Sequence, residues 1–161
     1  MTEIEQILDL YDRILNGYAW HGDPVWKILE GISAQQASTR ISRHTHTIWE
    51  LVCHMTFWED EVRRRLQGEL ARSAKDLNFP DMPEPTPANW KATLKEFRAT
   101  NRALRAALAK LDSSRLNLPL PGRKRPAYVE LHGIIQHDLY HAGQIAFLRK
   151  ILRQTKGRAG L

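Results

Sequence analysis

The amino-acid sequence predicts an all-α fold in which four long helices form a bundle. Apolar residues recur every three or four positions in four separate stretches, which is the spacing of one helix face. Proline and glycine separate these stretches, and no alternating run of apolar and polar residues is long enough to predict a sheet. The predicted bundle helices cover residues 3–16, 48–67, 87–111 and 127–153.

The first helix is followed by shorter helical segments before the second helix begins. The apolar pattern of the first helix is interrupted at Gly22. Asp23 and Pro24 then supply an N-cap and a first-turn proline, which predicts a short helix over residues 24–31. One further turn is expected before the polar residues 38–46, which are predicted to form a loop.

The second helix is expected to begin after Thr47, because Thr47 and Glu50 have the spacing of a capping box. It ends before Gly68, and the connection over residues 68–87 carries four prolines in its second half. Such a segment is predicted to be extended, at about 3.3 Å per residue. It can therefore cross the length of the bundle and let the second and third helices point the same way.

The third helix is expected to be capped by Thr86 and to begin with Pro87. Prolines and a glycine then break the pattern before the fourth helix. The length of the chain fits one domain, which we assign to residues 1–153. Residues 154–161 are basic and contain glycine, so they are predicted to form a flexible tail.

Composition limits the classes of function. The net charge is +6 and the pI about 9.7, but the basic residues fall in short runs without an aromatic-studded basic face, so we expect no nucleic-acid partner. No apolar run approaches the ~20 residues that span a bilayer, and the N-terminal residues lack a signal-peptide pattern. We expect a cytoplasmic protein without membrane contact. The single cysteine, Cys53, excludes an internal disulfide.

Three histidines on two predicted helices form a candidate metal site. His137 and His141 are four residues apart, so they share one helix face, which also carries apolar residues. A His-x-x-x-His pair alone is a weak signal, because many helices carry one by chance. His54, at the edge of the apolar face of the second helix, strengthens it. Imidazoles so placed can chelate one ion with bonds of about 2.0–2.1 Å.

Three stretches of the sequence resemble the DinB/YfiT-like superfamily of bacterial four-helix bundles. They are Ala19-Trp-His-Gly-Asp-Pro, Thr47-Ile-Trp-Glu-Leu-Val-Cys-His-Met and His132-Gly-Ile-Ile-Gln-His-Asp-Leu-Tyr-His-Ala-Gly-Gln-Ile-Ala, and the resemblance covers about residues 3–152. It implies an up-down-down-up topology with a long crossover between the second and third helices. It also implies the family's metal triad, which falls here on His54, His137 and His141.

Three neutral imidazoles leave one coordination position for a reactant, as in catalytic zinc sites. Hydrolysis and transfer of a thiol to an electrophile both fit, and the resemblance favours transfer, because the superfamily includes transferases that use low-molecular-weight thiols. We expect a small-molecule substrate, a homodimer, and zinc as the metal, with nickel as an alternative. The alternative function is a non-catalytic metal-binding protein of the stress response or a protein-interaction module. No catalytic acid or base is identified.

The sequence offers candidates for the pocket wall or for orienting the ligands. They are Glu50, Trp58, Gln144 and His21. Each has a simpler alternative role, as a rim or surface group, in core packing or as a cap. Asp138 points about 100° away from His137 around the helix, so it is predicted to pair with another helix rather than to contact that ring.

Overall fold

The computed structural model describes residues 1–70, 72 and 77–158, with side chains as far as residue 154. Its helices, in chain order, are α1 (Glu3–Leu15), α2 (Val25–Leu29), α3 (Ala34–Ser38), α4 (Ile48–Leu66), α5 (Pro87–Ala109) and α6 (Ala127–Arg158), with a 3₁₀ turn at Ser113–Arg115. The described ranges contain no β-strand, only two isolated bridges. The all-α prediction is therefore confirmed.

The predicted helix starts rest on side-chain caps. The Thr47 hydroxyl accepts a hydrogen bond from the amide of Glu50, and the Glu50 carboxylate accepts one from the amide of Thr47. This is the capping box that the sequence indicates. At the start of α5, Thr86 accepts from the amide of Asn89, with Pro87 in the first turn. These caps fix where α4 and α5 enter the bundle, and hence the register of the residues that follow.

Contacts between helices define the topology. Trp49 donates a hydrogen bond to Thr93, and further along the same two helices Asn101 donates to Glu59, so α4 and α5 run parallel. The connection between them must return along the bundle, as the proline-rich crossover predicts.

The remaining helices complete the predicted order. Arg65 near the end of α4 pairs with Glu130 near the start of α6, so these two helices run antiparallel. Glu3 lies beside His132, whereas Arg149 donates to backbone carbonyls in α2 and directly after it. The first segment of the chain therefore runs in the direction of α6. The order is up-down-down-up.

The core fills the space between α1, α4, α5 and α6. Its largest fully buried side chains include Tyr11, Trp49, Phe97, Leu104 and Ile145. At about 25 cal/mol per Å² of apolar surface, side chains of this size supply the main stabilisation of the bundle. None of the described helices combines the length and the apolar character that a membrane span requires.

The largest difference from the predicted boundaries lies at the C-terminus. Helix α6 continues to Arg158, five residues beyond the predicted end at residue 153. Residues 154–158 contain no proline that would end the helix. Polar residues can extend a helix whose earlier turns already pack against the core. The last residues of the predicted tail, 159–161, lie outside the described residues.

Candidate metal centre

The three predicted ligand histidines meet inside the bundle. His54 projects from α4, and His137 and His141 project from successive turns of α6. One ring nitrogen of each lies within 4.8 Å of the others, and the Nε2 atoms of His54 and His137 are 2.9 Å apart. His54 and His141 are buried, whereas the side chain of His137 is 25% exposed. We call these three residues the histidine cluster.

Each ring of the cluster is held through its other nitrogen. The pairs are His54 Nδ1 with the backbone oxygen of Asn78 at 2.9 Å, His137 Nδ1 with Asp138 Oδ1 at 3.3 Å, and His141 Nδ1 with Gln144 Oε1 at 2.7 Å. A carbonyl oxygen only accepts hydrogen bonds, so Nδ1 of His54 carries the proton. Metal-binding histidines typically donate their second N–H to a carbonyl or carboxylate in this way.

This arrangement leaves the Nε2 lone pair of His54 facing Nε2 of His137. Two neutral nitrogens with lone pairs 2.9 Å apart repel unless a cation or a proton lies between them. Nitrogens bound at about 2.0–2.1 Å to one tetrahedral ion are about 3.3 Å apart, close to the observed separation. The three imidazoles, each with an oxygen partner at Nδ1, are therefore a set of ligands that fits a divalent metal.

Burial keeps the cluster in the form that binds metal. Desolvation lowers the pKa of His54 and of His137 to about 4, and it also lowers the pKa of His141. The rings also disfavour charge on one another, because a second imidazolium nearby is repelled. At neutral pH all three rings are uncharged, which is the state that ligates metal ions.

The crossover between α4 and α5 covers one side of the cluster. The ring of Phe79 stacks on His54, with centroids 4.4 Å apart, and on its other side lies His46, 3.9 Å away. Trp58 donates from Nε1 to the side-chain oxygen of Asn78 at 2.8 Å. The centroid of the Trp58 ring is 6.4 Å from those of both His54 and His137. This segment therefore fixes the orientation of His54 and shields it from water.

A second group of buried polar side chains lies directly behind the cluster. Glu59 accepts hydrogen bonds from the Tyr11 hydroxyl at 2.8 Å and from the Asn101 amide at 2.6 Å. Asp138 lies beside Glu59, and its Oδ2 atom has no hydrogen-bond partner in the part of the chain that the structure describes. We call Tyr11, Glu59, Asn101 and Asp138 the carboxyl network, and it joins α1, α4, α5 and α6.

Glu59 and Asp138 are fully buried, which sets their protonation. Burial raises the pKa of Asp138 to about 8, and burial together with the neighbouring Asp138 raises the pKa of Glu59 well above its ordinary value. Two carboxylates this close cannot both ionise in a low-dielectric core. The pair therefore holds at least one proton at neutral pH.

The four pocket or orienting candidates lie in different places. Gln144 contacts His141, and Trp58 lies beside the cluster. Glu50 instead caps α4 and pairs with Arg40, and His21 is exposed. Neither Glu50 nor His21 contacts the cluster within the described part of the chain.

Cys53 is also turned away from the cluster. It packs against the core, and burial raises the pKa of its thiol to about 12. A thiol with such a pKa is protonated at neutral pH and is neither a metal ligand nor a nucleophile.

The prediction for Asp138 was wrong, and two loop residues were missed. The angular argument placed Asp138 away from His137, but rotation about the side-chain bonds brings its carboxyl group to 3.3 Å from Nδ1 of that ring. Its partner on another helix is a carboxylic acid rather than a cation. Asn78 and Phe79 lie in a proline-rich connection without periodicity, so no spacing rule points to them. Their only sequence signal is an amide and an aromatic residue next to each other in an otherwise extended segment.

Comparison with known proteins identifies a family for most of the chain. The model of the DinB superfamily matches residues 18–145, a range that includes all three histidines of the cluster. No curated protein and no solved structure matches the chain significantly.

Proposed function

The chain belongs to the DinB superfamily, and we propose that it is a metal-dependent enzyme that transfers a low-molecular-weight thiol to an electrophile. The observation that carries this proposal is the histidine cluster, in which three rings are tied by Nδ1 and direct Nε2 at one another. Zinc is the first choice for the metal and nickel the second, because imidazole suits both.

The number of ligands supports a reactive site over a purely structural one. Within the described residues, the group that is close enough to share an ion contains His54, His137 and His141 and no fourth histidine, cysteine or carboxylate. Structural zinc sites are usually closed by four protein ligands, whereas catalytic sites have three. A divalent metal held by these rings supplies Lewis-acid chemistry that lowers the pKa of a thiol or of water.

The side chains around the cluster have separate roles in this proposal. Asn78, Asp138 and Gln144 hold the three rings in the orientation for ligation. Phe79 and Trp58 exclude water from the side of His54. In the reaction, the thiol sulfur forms a bond to the electrophilic carbon, the leaving group departs with its electron pair, and the thiol proton passes to solvent.

Metal analysis of the purified protein is the first test. We expect the wild-type chain to retain one divalent metal after dialysis and His141→Ala to lose it. His132→Ala is the matched control, since His132 lies on the same helix but outside the cluster, beside Glu3. A wild-type protein that retains no metal, or equal retention by both variants, would refute the metal site.

A thiol-transfer assay then distinguishes the functions. The metal-loaded protein is mixed with an alkylating electrophile and a series of small thiols, and loss of the free thiol is followed. We expect conjugation that stops when metal is removed and in His141→Ala. Hydrolysis of the electrophile without thiol consumption would favour a hydrolase, and metal retention with neither reaction would favour the non-catalytic alternative. The expected homodimer remains a prediction for analytical ultracentrifugation.

A further inference from the structure

A cavity of about 300 Å³ opens beside the exposed edge of the histidine cluster. It lies between α4, α6 and the turn that precedes α6. The lining residues that matter here are Trp58, Arg65, Arg123, Arg125, Gly133 and His137. We call this cavity the arginine pocket, and His137 is the residue that it shares with the cluster.

The charge of the arginine pocket is not balanced by its own lining. Glu130 is its one lining carboxylate, and it pairs with Arg123 at 2.8 Å and with Arg65 at 3.4 Å. No carboxylate of the described residues lies within ion-pair distance of Arg125. Arg65 also pairs with the buried Glu61 at 3.6 Å, outside the lining, so the positive charge without a carboxylate partner is that of Arg125.

Arg65 is a buried cation with an unused donor. Its side chain is 4% exposed, and its Nε atom has no hydrogen-bond partner among the described residues. A buried donor without a partner is costly, by about 1–3 kcal/mol. Nε itself is too buried for a ligand to reach, but Arg65 places a poorly solvated positive charge in the wall of the pocket.

The shape of the pocket suits a small monoanion. Gly133 lines it without a side chain, and a Cβ atom added there would meet no atom within 4 Å. The guanidinium fork matches the geometry of a carboxylate. Glu130 already offsets part of the positive charge and would repel a second negative charge, so the balance favours a carboxylate over a phosphate dianion.

We propose that the arginine pocket binds the carboxylate of a small thiol whose sulfur lies toward His137, so that the co-substrate is an anion. The identity of this anion as a reactant rests on the proposed function, because His137 belongs to the proposed metal site. The anion subsite itself depends only on Arg65, Arg125 and the space left by Gly133.

The binding test uses probes that cannot react. The zinc-loaded, ¹⁵N-labelled protein is titrated with 3-(methylthio)propionate and, separately, with the neutral 3-(methylthio)propan-1-ol. The amide of residue 133 reports on the pocket, and the amide of Gly143, which lies on the exposed face of α6, is the internal reference. We expect the acid to shift the residue 133 signal to saturation and to bind at least about tenfold more tightly than the alcohol.

Matched variants separate the pocket from general surface charge. Arg125→Gln is expected to weaken binding of the acid about tenfold, whereas Lys124→Gln removes the same charge one residue away, outside the pocket lining, and should change it less than about twofold. Gly133→Leu should abolish binding by filling the space. Gly143→Leu is its control, since it makes the same change on the same helix at an exposed position outside the pocket lining.

The outcomes are distinguishable from failure of the proposed function. Equal binding of acid and alcohol, or equal effects of Arg125→Gln and Lys124→Gln, would overturn the anion subsite. Tighter binding of inorganic phosphate than of the acid would overturn the choice of a carboxylate. If the protein retains no zinc, the proposed function fails, and the same titration of the metal-free protein still decides the subsite. In the transfer assay, 3-mercaptopropionate should react faster than 3-mercaptopropan-1-ol, and Arg125→Gln should remove that preference.

Discussion

The histidine cluster and the carboxyl network lie side by side in one bundle core, and they differ in how their polar atoms are paired. In the carboxyl network, one oxygen of Glu59 accepts a hydrogen bond from Tyr11 and the other accepts one from Asn101, and burial beside Asp138 keeps a proton on the pair of acids. In the histidine cluster, the Nδ1 atoms are paired and the Nε2 atoms face one another. Glu59 therefore has partners for both oxygens without a ligand, whereas the facing nitrogens of the histidine cluster converge where a cation would bind.

Buried polar side chains therefore have two different roles in this core. A network that is satisfied internally joins helices and contributes to stability, because its groups are costly only when a partner is removed. A cluster of metal-ligating nitrogens that converge on one point contributes to stability only when a metal ion is bound there. Asp138 belongs to the first group and contacts the second, so it connects the two.

The largest expected effect comes from breaking the carboxyl network. Glu59→Ala removes the acceptor of the buried Asn101 amide and leaves the Tyr11 hydroxyl with the Asn101 carbonyl at 3.4 Å as its acceptor, so we expect the free energy of unfolding to fall by about 3 kcal/mol. Urea denaturation of the metal-free proteins measures this. Glu59→Gln retains an acceptor oxygen and should cost about 1 kcal/mol. Loss of bound metal in Glu59→Gln, with stability unchanged, would contradict the separation of the two groups.

The second prediction concerns the stability that metal adds. With free zinc at about 100 times its dissociation constant, the wild-type protein should gain about 2.7 kcal/mol of unfolding free energy. His54→Ala should lose this gain, because one of three ligands is missing, while His132→Ala keeps it. Urea titrations with and without zinc measure the difference. A zinc-dependent gain that survives in His54→Ala would place the metal elsewhere.

The third prediction concerns the oxygen partner of His141. Gln144→Ala removes the group that orients this ring, and we expect the affinity for zinc to fall about 10–100-fold, with the fold retained. Competition with a chromophoric chelator measures the affinity. Gln154→Ala, an exposed glutamine on the same helix, should leave it unchanged. If the two variants bind zinc equally, Gln144 has no role in orienting the ligand.

The smallest net effect is expected in the pH dependence of the metal-free protein, because the two groups act in opposite directions. The pKa of His54 and of His137 is lowered to about 4, so the unfolded chain binds more protons between pH 4 and 6.5 and stability falls as the pH drops through that range. The pKa of Asp138 is raised to about 8, so the folded state binds the extra proton. That stability is present at low pH and is lost as the pH rises from about 4 to 8.

The window between pH 6.5 and 8 therefore isolates the carboxyl pair. Urea midpoints of the metal-free wild-type protein should fall across this window, and those of Asp138→Asn should stay flat, because an amide does not titrate. Below pH 6.5 the histidine contribution should remain in Asp138→Asn and be reduced in His54→Ala. An alkaline decline of equal size in Asp138→Asn would show that another group titrates there.

The sequence predicts the helices well because each has its own local signal. The starts of α4 and α5 are set by Thr47 and Thr86 with their capping partners, and their apolar faces follow a single period. The end of α6 was placed too early, since the polar residues after 153 carry no stop signal other than glycine. A helix can continue through such residues when its earlier turns are anchored.

The candidate site could be predicted only in part, for a physical reason. Positions four residues apart on a helix have fixed relative directions, so His137 and His141 could be paired from their spacing. The apolar face of the second helix pointed to His54, and the family pattern supported it. Asn78 and Phe79 have no such constraint, because the side chains of an extended connection are placed by tertiary contacts that no local sequence pattern encodes. Asp138 fails for a different reason, although it lies on a regular helix. A helical wheel gives the direction of its Cβ atom but does not show how far its carboxyl group can reach.

The crossover carries a consequence for how this protein tolerates insertions and deletions. The carbonyl of Asn78 selects the tautomer of His54. The connection between α4 and α5 must therefore be long enough, and no longer, to place the Asn78 carbonyl at Nδ1 of His54. Deleting or inserting one residue in that connection would leave all four long helices intact, but it would move the Asn78 carbonyl and change which nitrogen of His54 carries the proton. Loop length, usually the most freely varied property of a helical bundle, is thus tied here to the protonation of a single side chain.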